Sequence, residues 1–179
     1  MLAKVCSDVQ IEPGLQPVVT DEANGNNAAD EARLDIRSRG FWRRGQNAFF
    51  DVRVTNASAV SQMTQPLKSL LVKHEKEKKR KYSQRVMDVE QGTFTPLVFT
   101  VNGSMGPECE QFHRCLASKL AEKTDQRYAD VMNFIRCKLS FIIIRAAVLC
   151  LRGSRKVDTK ERPTGDDFSL FAADMGLTH

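Results

Sequence analysis

Between Ala48 and Thr55 the residues change character one at a time: Phe50, Val52 and Val54 fall on one side, and Phe49, Asp51 and Arg53 on the other. Successive side chains of a strand point to opposite faces, so this period of two predicts a half-buried strand with Phe50, Val52 and Val54 inward. Leu34, Asp35 and Ile36 repeat the pattern in miniature, again with an acid at the centre. The stretch SRGFWRRGQN between the runs is bracketed by Gly40 and Gly45 and holds no helical pattern, so a hairpin is the natural join. An unpaired charge is costly to bury. If the two strands pair with their apolar faces together, Asp35 and Asp51 must therefore emerge side by side on the opposite face.

The remaining chain supplies the partners of this hairpin. Residues 1–8 read as the end of a helix, and the abrupt start inside an apolar pattern leads us to expect an N-terminally truncated domain. Val9–Glu12 is predicted as an edge strand, because prolines flank it. TDEANGNNAADE is a polar loop. The two aspartate strands lie near 32–37 and 48–55, followed by a long helix from Lys68 to Gln91, a strand in TFTPLVFTVNG, a helix opened by Pro107 and its acids, and a last helix over 126–152. The order is α-β-β-β-α-β-α-α. It predicts an α/β fold bordering on α+β, with a small mixed four-stranded sheet flanked by helices. Residues 1–155 form the expected domain, and 156–179 an aperiodic, polar, flexible tail.

Composition narrows the function classes only a little. The 179 residues carry a net charge of +5, which permits an anionic partner such as nucleic acid without requiring one. Five scattered cysteines without a CxxC pair read as buried free thiols of a reducing compartment. Cys109 and His113 stand one helical turn apart, but Cys115 points elsewhere, which argues against zinc. Asn56 and Asn102 match the glycosylation triplet and are read as turn residues. FIIIRAAVLCL is too short for a bilayer and holds Arg145, so it is taken as a core helix rather than a membrane span.

Two carboxylates converging on one sheet face make a site for a hard cation, since Mg²⁺ needs only one or two carboxylates plus a phosphate. The bland alternative pairs each acid with Arg33, Arg37 or Arg53 on a solvated face. On the long helix, Leu71, His74, Lys78, Tyr82, Val86 and Val89 follow three-and-four spacing. Its apolar ends imply that His74 and Lys78 face the domain, while Lys76, Lys79, Arg80 and Lys81 turn outward.

The sequences LDIRSRGFW, AFFDVRV, KHEKEKKRKYSQRV, GTFTPLVFTVNGSMGPE and IRAAVLCLRGSR carry a further signal. Together with the strand order, they resemble the PD-(D/E)xK restriction-endonuclease-like domains that follow the reverse transcriptase in LINE-type retrotransposons and related repeat-derived animal proteins. The resemblance covers most of residues 1–155. It implies that Asp35 is the first motif aspartate and Asp51 the following acid, both holding Mg²⁺ or Mn²⁺. Arg53 occupies the place of the family lysine; it keeps the charge and can grip a phosphate, but it is no general base at neutral pH. Lys78 suits the lysine that such retrotransposon nucleases are thought to carry on the neighbouring helix. Glu12 and His74 are auxiliary candidates. No proline precedes Asp35, and the basic-His-Asn motif found upstream in some of these nucleases is absent.

The resemblance thus implies a metal-dependent endonuclease domain that nicks DNA, with an upstream reverse transcriptase in the same polyprotein as a possible partner. No membrane or small-molecule cofactor is involved, and the location is intracellular, in the nucleus where genomic DNA is the substrate. Arg43 and Arg44 beside Trp42, with Lys79 and Arg80, would contact nucleic acid. The alternative is a catalytically inactive nuclease-like module that binds nucleic acid or serves a structural role. A third is a protein-interaction domain using the helices around 126–152.

Overall fold

The computed structural model describes residues 1–15, 33–59 and 65–153, with side chains through Leu149. The loop over 20–31, the side chain of Cys150 and the expected tail lie outside what the structure describes. The chain divides into two units, Met1–Ala146 and Ala147–His179. The described part of the second is the end of the last helix, whereas the first contains the whole sheet.

The observed order is α1 (Leu2–Val5), β1 (Asp8–Ile11), β2 (Ile36–Arg39), β3 (Asn47–Thr55), α2 (Leu67–Asp88), β4 (Thr93–Thr100), α3 (Pro107–Thr124) and α4 (Tyr128–Gly153). This is the predicted mixed α/β arrangement. The strands lie in the order β1-β2-β3-β4; β2 runs antiparallel to both β1 and β3, while β4 is parallel to β3. Parallel pairing requires a crossover, and α2 supplies it. Gly40 and Gly45 take left-handed φ angles of 86° and 78° in the β2–β3 connection. That turn tucks Phe41 into the core, completely buried.

Helices cover the sheet on two sides. On one, Phe50, Leu97 and Phe99 pack with Phe41, Phe112, Leu116 and Ile135 from the hairpin loop, α3 and α4. On the other, Leu34, Phe49 and Phe94 meet Tyr82 and Val86 of α2. Phe49 and Phe50 are therefore both buried, as in a strand sandwiched between layers.

This double cover corrects the reading of β3. Val52 and Val54, expected inward, are 40% and 52% exposed, whereas Asp51 on the supposedly solvated side is buried. The pairing with β2 ends at Ile36 opposite Phe50, so the second half of β3 has lost that neighbour. Meanwhile α2 lies across the face that carries Phe49 and Asp51. Leu34 and Ile36 do not share a face either: Leu34 packs under α2 and Ile36 against the α3 side. The cause is local. The Asp35 amide also donates to the Phe50 carbonyl at 3.1 Å, so Asp35 and Ile36 both oppose one residue, as at a β-bulge.

Three further expectations change. FIIIRAAVLCL is not a core segment, because Phe141, Ile142 and Ile144 are exposed on α4. Not every cysteine is buried either: Cys137, on the outer side of α4, is exposed. Trp42 is not presented for stacking, since its Nε1 donates to Thr95 Oγ1 at 3.0 Å and its ring meets Phe41 edge-on. Among the described residues no helix is long and apolar enough to cross a membrane.

Candidate functional site

The polar residues of interest gather where β3 passes beneath α2. Asp51 lies on the α2 side with Phe49, and its Oδ2 stands 2.7 Å from Lys78 Nζ. That oxygen is buried and accepts no directed hydrogen bond, so the contact is an ion pair with poor angular alignment. Lys78 is 24% exposed along its side chain, which leaves its ammonium a route to solvent. Helical spacing placed Lys78 and His74 inward, and α2 lays His74 fully against the sheet.

Asp35 arrives from the bulge. Its Oδ2 accepts the Val52 amide at 2.5 Å, so this carboxylate sits on the peptide that joins Asp51 to Val52. Val52 is where β3 loses its β2 partner, and the aspartate satisfies a donor the ladder leaves open. Glu12 N donates to the Asp35 carbonyl at 2.8 Å, but the Glu12 side chain is exposed at a residue with φ of 50°. The fold brings the Glu12 backbone to the site without bringing its carboxylate into a contact there.

The arginines do not serve as partners for these acids. Arg37 pairs with Asp8 at 2.9 Å, and Arg53 pairs with Glu77 at 3.0 Å. Glu77 Oε2 also meets His74 Nδ1 at 3.3 Å, while His74 Nε2 lies 3.5 Å from Thr55 Oγ1. Hydrogen bonds from His74 and then Arg53 hold the Glu77 carboxyl below the ordinary carboxylate range. Thus Thr55, His74, Glu77 and Arg53 form one polar chain beside the Asp51–Lys78 pair. Glu77 escaped the sequence reading, although its position three residues after His74 and directly before Lys78 offered a signal.

Of the basic residues expected to meet nucleic acid, Arg43, Arg44 and Arg80 are exposed. Lys79 is instead engaged: its Nζ meets Glu108 Oε1 at 2.5 Å, which ties α2 to the start of α3. The Cys109–His113 pair is also committed internally. Burial pushes the Cys109 thiol up and the His113 imidazole down, and His113 Nδ1 donates to the Cys109 carbonyl at 2.7 Å.

Glu75 was missed altogether, and it anchors the site from below. It is buried, and its Oε1 accepts the amides of Glu108 at 3.0 Å and Cys109 at 3.4 Å. Helix α3 begins at Gly106 without a side-chain cap of its own, so a carboxylate from α2 takes the orphan donors. Gly106 permits this approach, because a Cβ there would collide with the Glu75 carboxylate.

Burial raises the Glu75 carboxyl above its usual value, against the lowering pull of the two amides and of Lys79, with Glu108 adding to the rise. A raised folded pKa means that the folded state holds the proton more tightly. The linked stability is complete below the unfolded value of about 4.3 and is lost as pH rises through the folded one. Glu75→Gln keeps the acceptor oxygen and carries no charge. It is expected to melt at or above the parent at pH 7, with the difference shrinking towards pH 4, as followed by circular dichroism. A clearly lower melting temperature for the glutamine variant at pH 7 would show that the charge itself stabilises α3.

A divalent metal can be weighed against this donor set. Among the described residues no three His, Cys, Asp or Glu side chains gather as a metal-holding group. Asp35 and Asp51 nevertheless provide two carboxylates on adjoining backbone, and the buried Oδ2 of Asp51 has a cation as its close neighbour. A hard cation that retains several waters is compatible with two carboxylates. In comparison with known proteins, no family model matches this chain, and no curated protein matches it.

Proposed function

We propose that the chain is a metal-dependent DNA endonuclease domain of the restriction-endonuclease-like type, with Asp35 and Asp51 as the ligands of Mg²⁺ or Mn²⁺. The observation that carries this reading is the buried Asp51 carboxylate facing Lys78 at 2.7 Å, with the Asp35 carboxylate on the very next peptide. The strand order and the parallel β3–β4 pair joined by α2 support it. When bound, such an ion polarises a phosphodiester and lowers the pKa of an attacking water.

The chain's own residues would do the rest. Lys78, partly exposed, reaches both Asp51 and solvent, and so can place its ammonium against a non-bridging phosphate oxygen and the charge that develops there. Arg53, aimed by Glu77, offers a second cation on the same side. Arg43, Arg44 and Arg80, all exposed, would draw in the DNA backbone by charge. A nuclease derived from a retrotransposon, acting beside a reverse transcriptase on nuclear DNA, is the setting this reading suggests.

A second reading is favoured by one feature: Lys78 already neutralises Asp51, and Arg53 is tied to Glu77. A module so paired could bind nucleic acid without cutting it. Plasmid nicking with and without Mg²⁺ or Mn²⁺ separates the two. The endonuclease reading expects metal-dependent nicking that falls at least a hundredfold in Asp51→Ala while salt-sensitive DNA binding persists. DNA binding with no metal-dependent cleavage by the parent would establish the inactive module.

A further inference from the structure

A cleft of about 460 Å³ opens between the β4–α3 loop, α3 and α4, on the side of the sheet away from α2. Clefts that hold small organic ligands measure about 300–1,000 Å³. The floor of this one is apolar. Met132 and Ile135 of α4 are buried, and Met105, which borders the same space, is fixed by its backbone bridge to Phe99.

Two of the polar groups that border the cleft are left without a partner for it to supply. His113 is 5% exposed, and Phe99 and Phe112 hold its ring edge-on. The bond to the Cys109 carbonyl uses Nδ1 alone. Among the described residues Nε2 meets no protein group, yet it is not sealed from solvent, so the cleft is what it faces. Burial favours the neutral imidazole, in which this nitrogen keeps a lone pair and can only accept. Arg136, exposed on the rim, pairs with no acid among the described residues. Glu110 lies on the same rim but is paired with Arg114 at 3.4 Å. That pair cancels, and the lining keeps one uncompensated positive charge.

These features specify the occupant. Nε2 calls for an N–H or O–H donor, and Arg136 for a single negative charge. The thioethers of Met105 and Met132 favour a flat ring between the two, and the exposed ring of Tyr128 offers a second surface for it. We infer that the cleft binds a small aromatic monocarboxylate that carries an N–H or O–H donor. The donor meets His113 Nε2, the ring covers Met105, Met132 and Ile135, and the carboxylate pairs with Arg136. This site shares no residue with the Asp35–Asp51 site and stands independently of the endonuclease reading.

The test is isothermal titration calorimetry of the full chain with indole-3-acetate, which combines ring, N–H and carboxylate. A dissociation constant of about 1 mM or below is expected for a ligand this small. 1-Methylindole-3-acetate lacks the donor, and tryptamine replaces the carboxylate with an ammonium; each should bind about tenfold more weakly. The donor contact is probed on the ligand because His113, packed between two rings, cannot be replaced without disturbing the core. Arg136 is exposed, so Arg136→Gln should leave the melting temperature unchanged while weakening indole-3-acetate about tenfold. Arg43→Gln, in the β2–β3 connection, should change nothing. No saturable binding of indole-3-acetate, equal affinity for the three ligands, or full affinity in Arg136→Gln overturns the proposal. Tighter binding of adenosine monophosphate than of indole-3-acetate also overturns it, and would assign the cleft to nucleotides.

Discussion

Replacing Lys78 by methionine is expected to lower the melting temperature by about 10 °C, while Asp51→Asn leaves it within a few degrees of the parent. The asymmetry follows from burial. Lys78 keeps a path to water, but the Asp51 oxygen it faces is buried, without another partner. Removing the ammonium strands a buried charge, which costs about 3 kcal/mol, and each kcal/mol moves a domain of this size by about 2–4 °C. Removing the carboxylate charge instead leaves a lysine that can turn outward.

Combining Lys78→Met with Asp51→Asn should therefore recover most of the loss, a coupling that a double-mutant cycle reads directly. Mg²⁺ should raise the melting temperature of Lys78→Met more than that of the parent, because the bared carboxylate then has a cation to accept. A Lys78→Met protein as stable as the parent would mean that Asp51 needs no cation, and the metal assignment would lose its physical basis.

The sequence made some of this arrangement legible and hid the rest for identifiable reasons. Alternation correctly placed Phe49, Asp51 and Arg53 on one face of β3. It took only one face as buried, although Phe50 and Phe49 are both enclosed, because alternation reports sidedness and cannot say that α2 would cover the polar side with Tyr82 and Val86. Nor could it foresee that β2 ends opposite Phe50 and leaves Val52 and Val54 paired with β4 alone.

The α2 stripe was legible because Leu71, Tyr82 and Val86 fix the helix orientation, and Lys78 had to follow. Glu75 was hidden by distance: the amides it accepts come from residues more than thirty positions later. One clue did exist. A helix opening at Gly106–Pro107 has no capping side chain, so its first donors had to be satisfied from elsewhere. The bulge at Asp35 left no mark in composition, since it depends on how far the β2–β3 pairing extends.

Phe50→Ala should destabilise the domain by about 3–5 kcal/mol, an appreciable fraction of the roughly 5–15 kcal/mol that holds a domain together. Phe50 is completely buried, and its ring meets Phe41 edge-on at 5.4 Å and Phe112 at 4.9 Å. Those two rings come from the hairpin loop and from α3, so truncation opens a cavity between three elements at once rather than beside one. Collapse is hindered because the β3 backbone is fixed by pairing on both sides at this residue, Ile36 on β2 and Thr95 on β4. Phe50 also directly precedes Asp51, and its carbonyl accepts the Asp35 amide. Denaturant unfolding measures the loss, and Phe50→Leu should return about half of it. If Phe50→Ala costs less than about 1 kcal/mol, this end of β3 is free to adjust. The two carboxylates would then not be held in one fixed relation by the core beneath them.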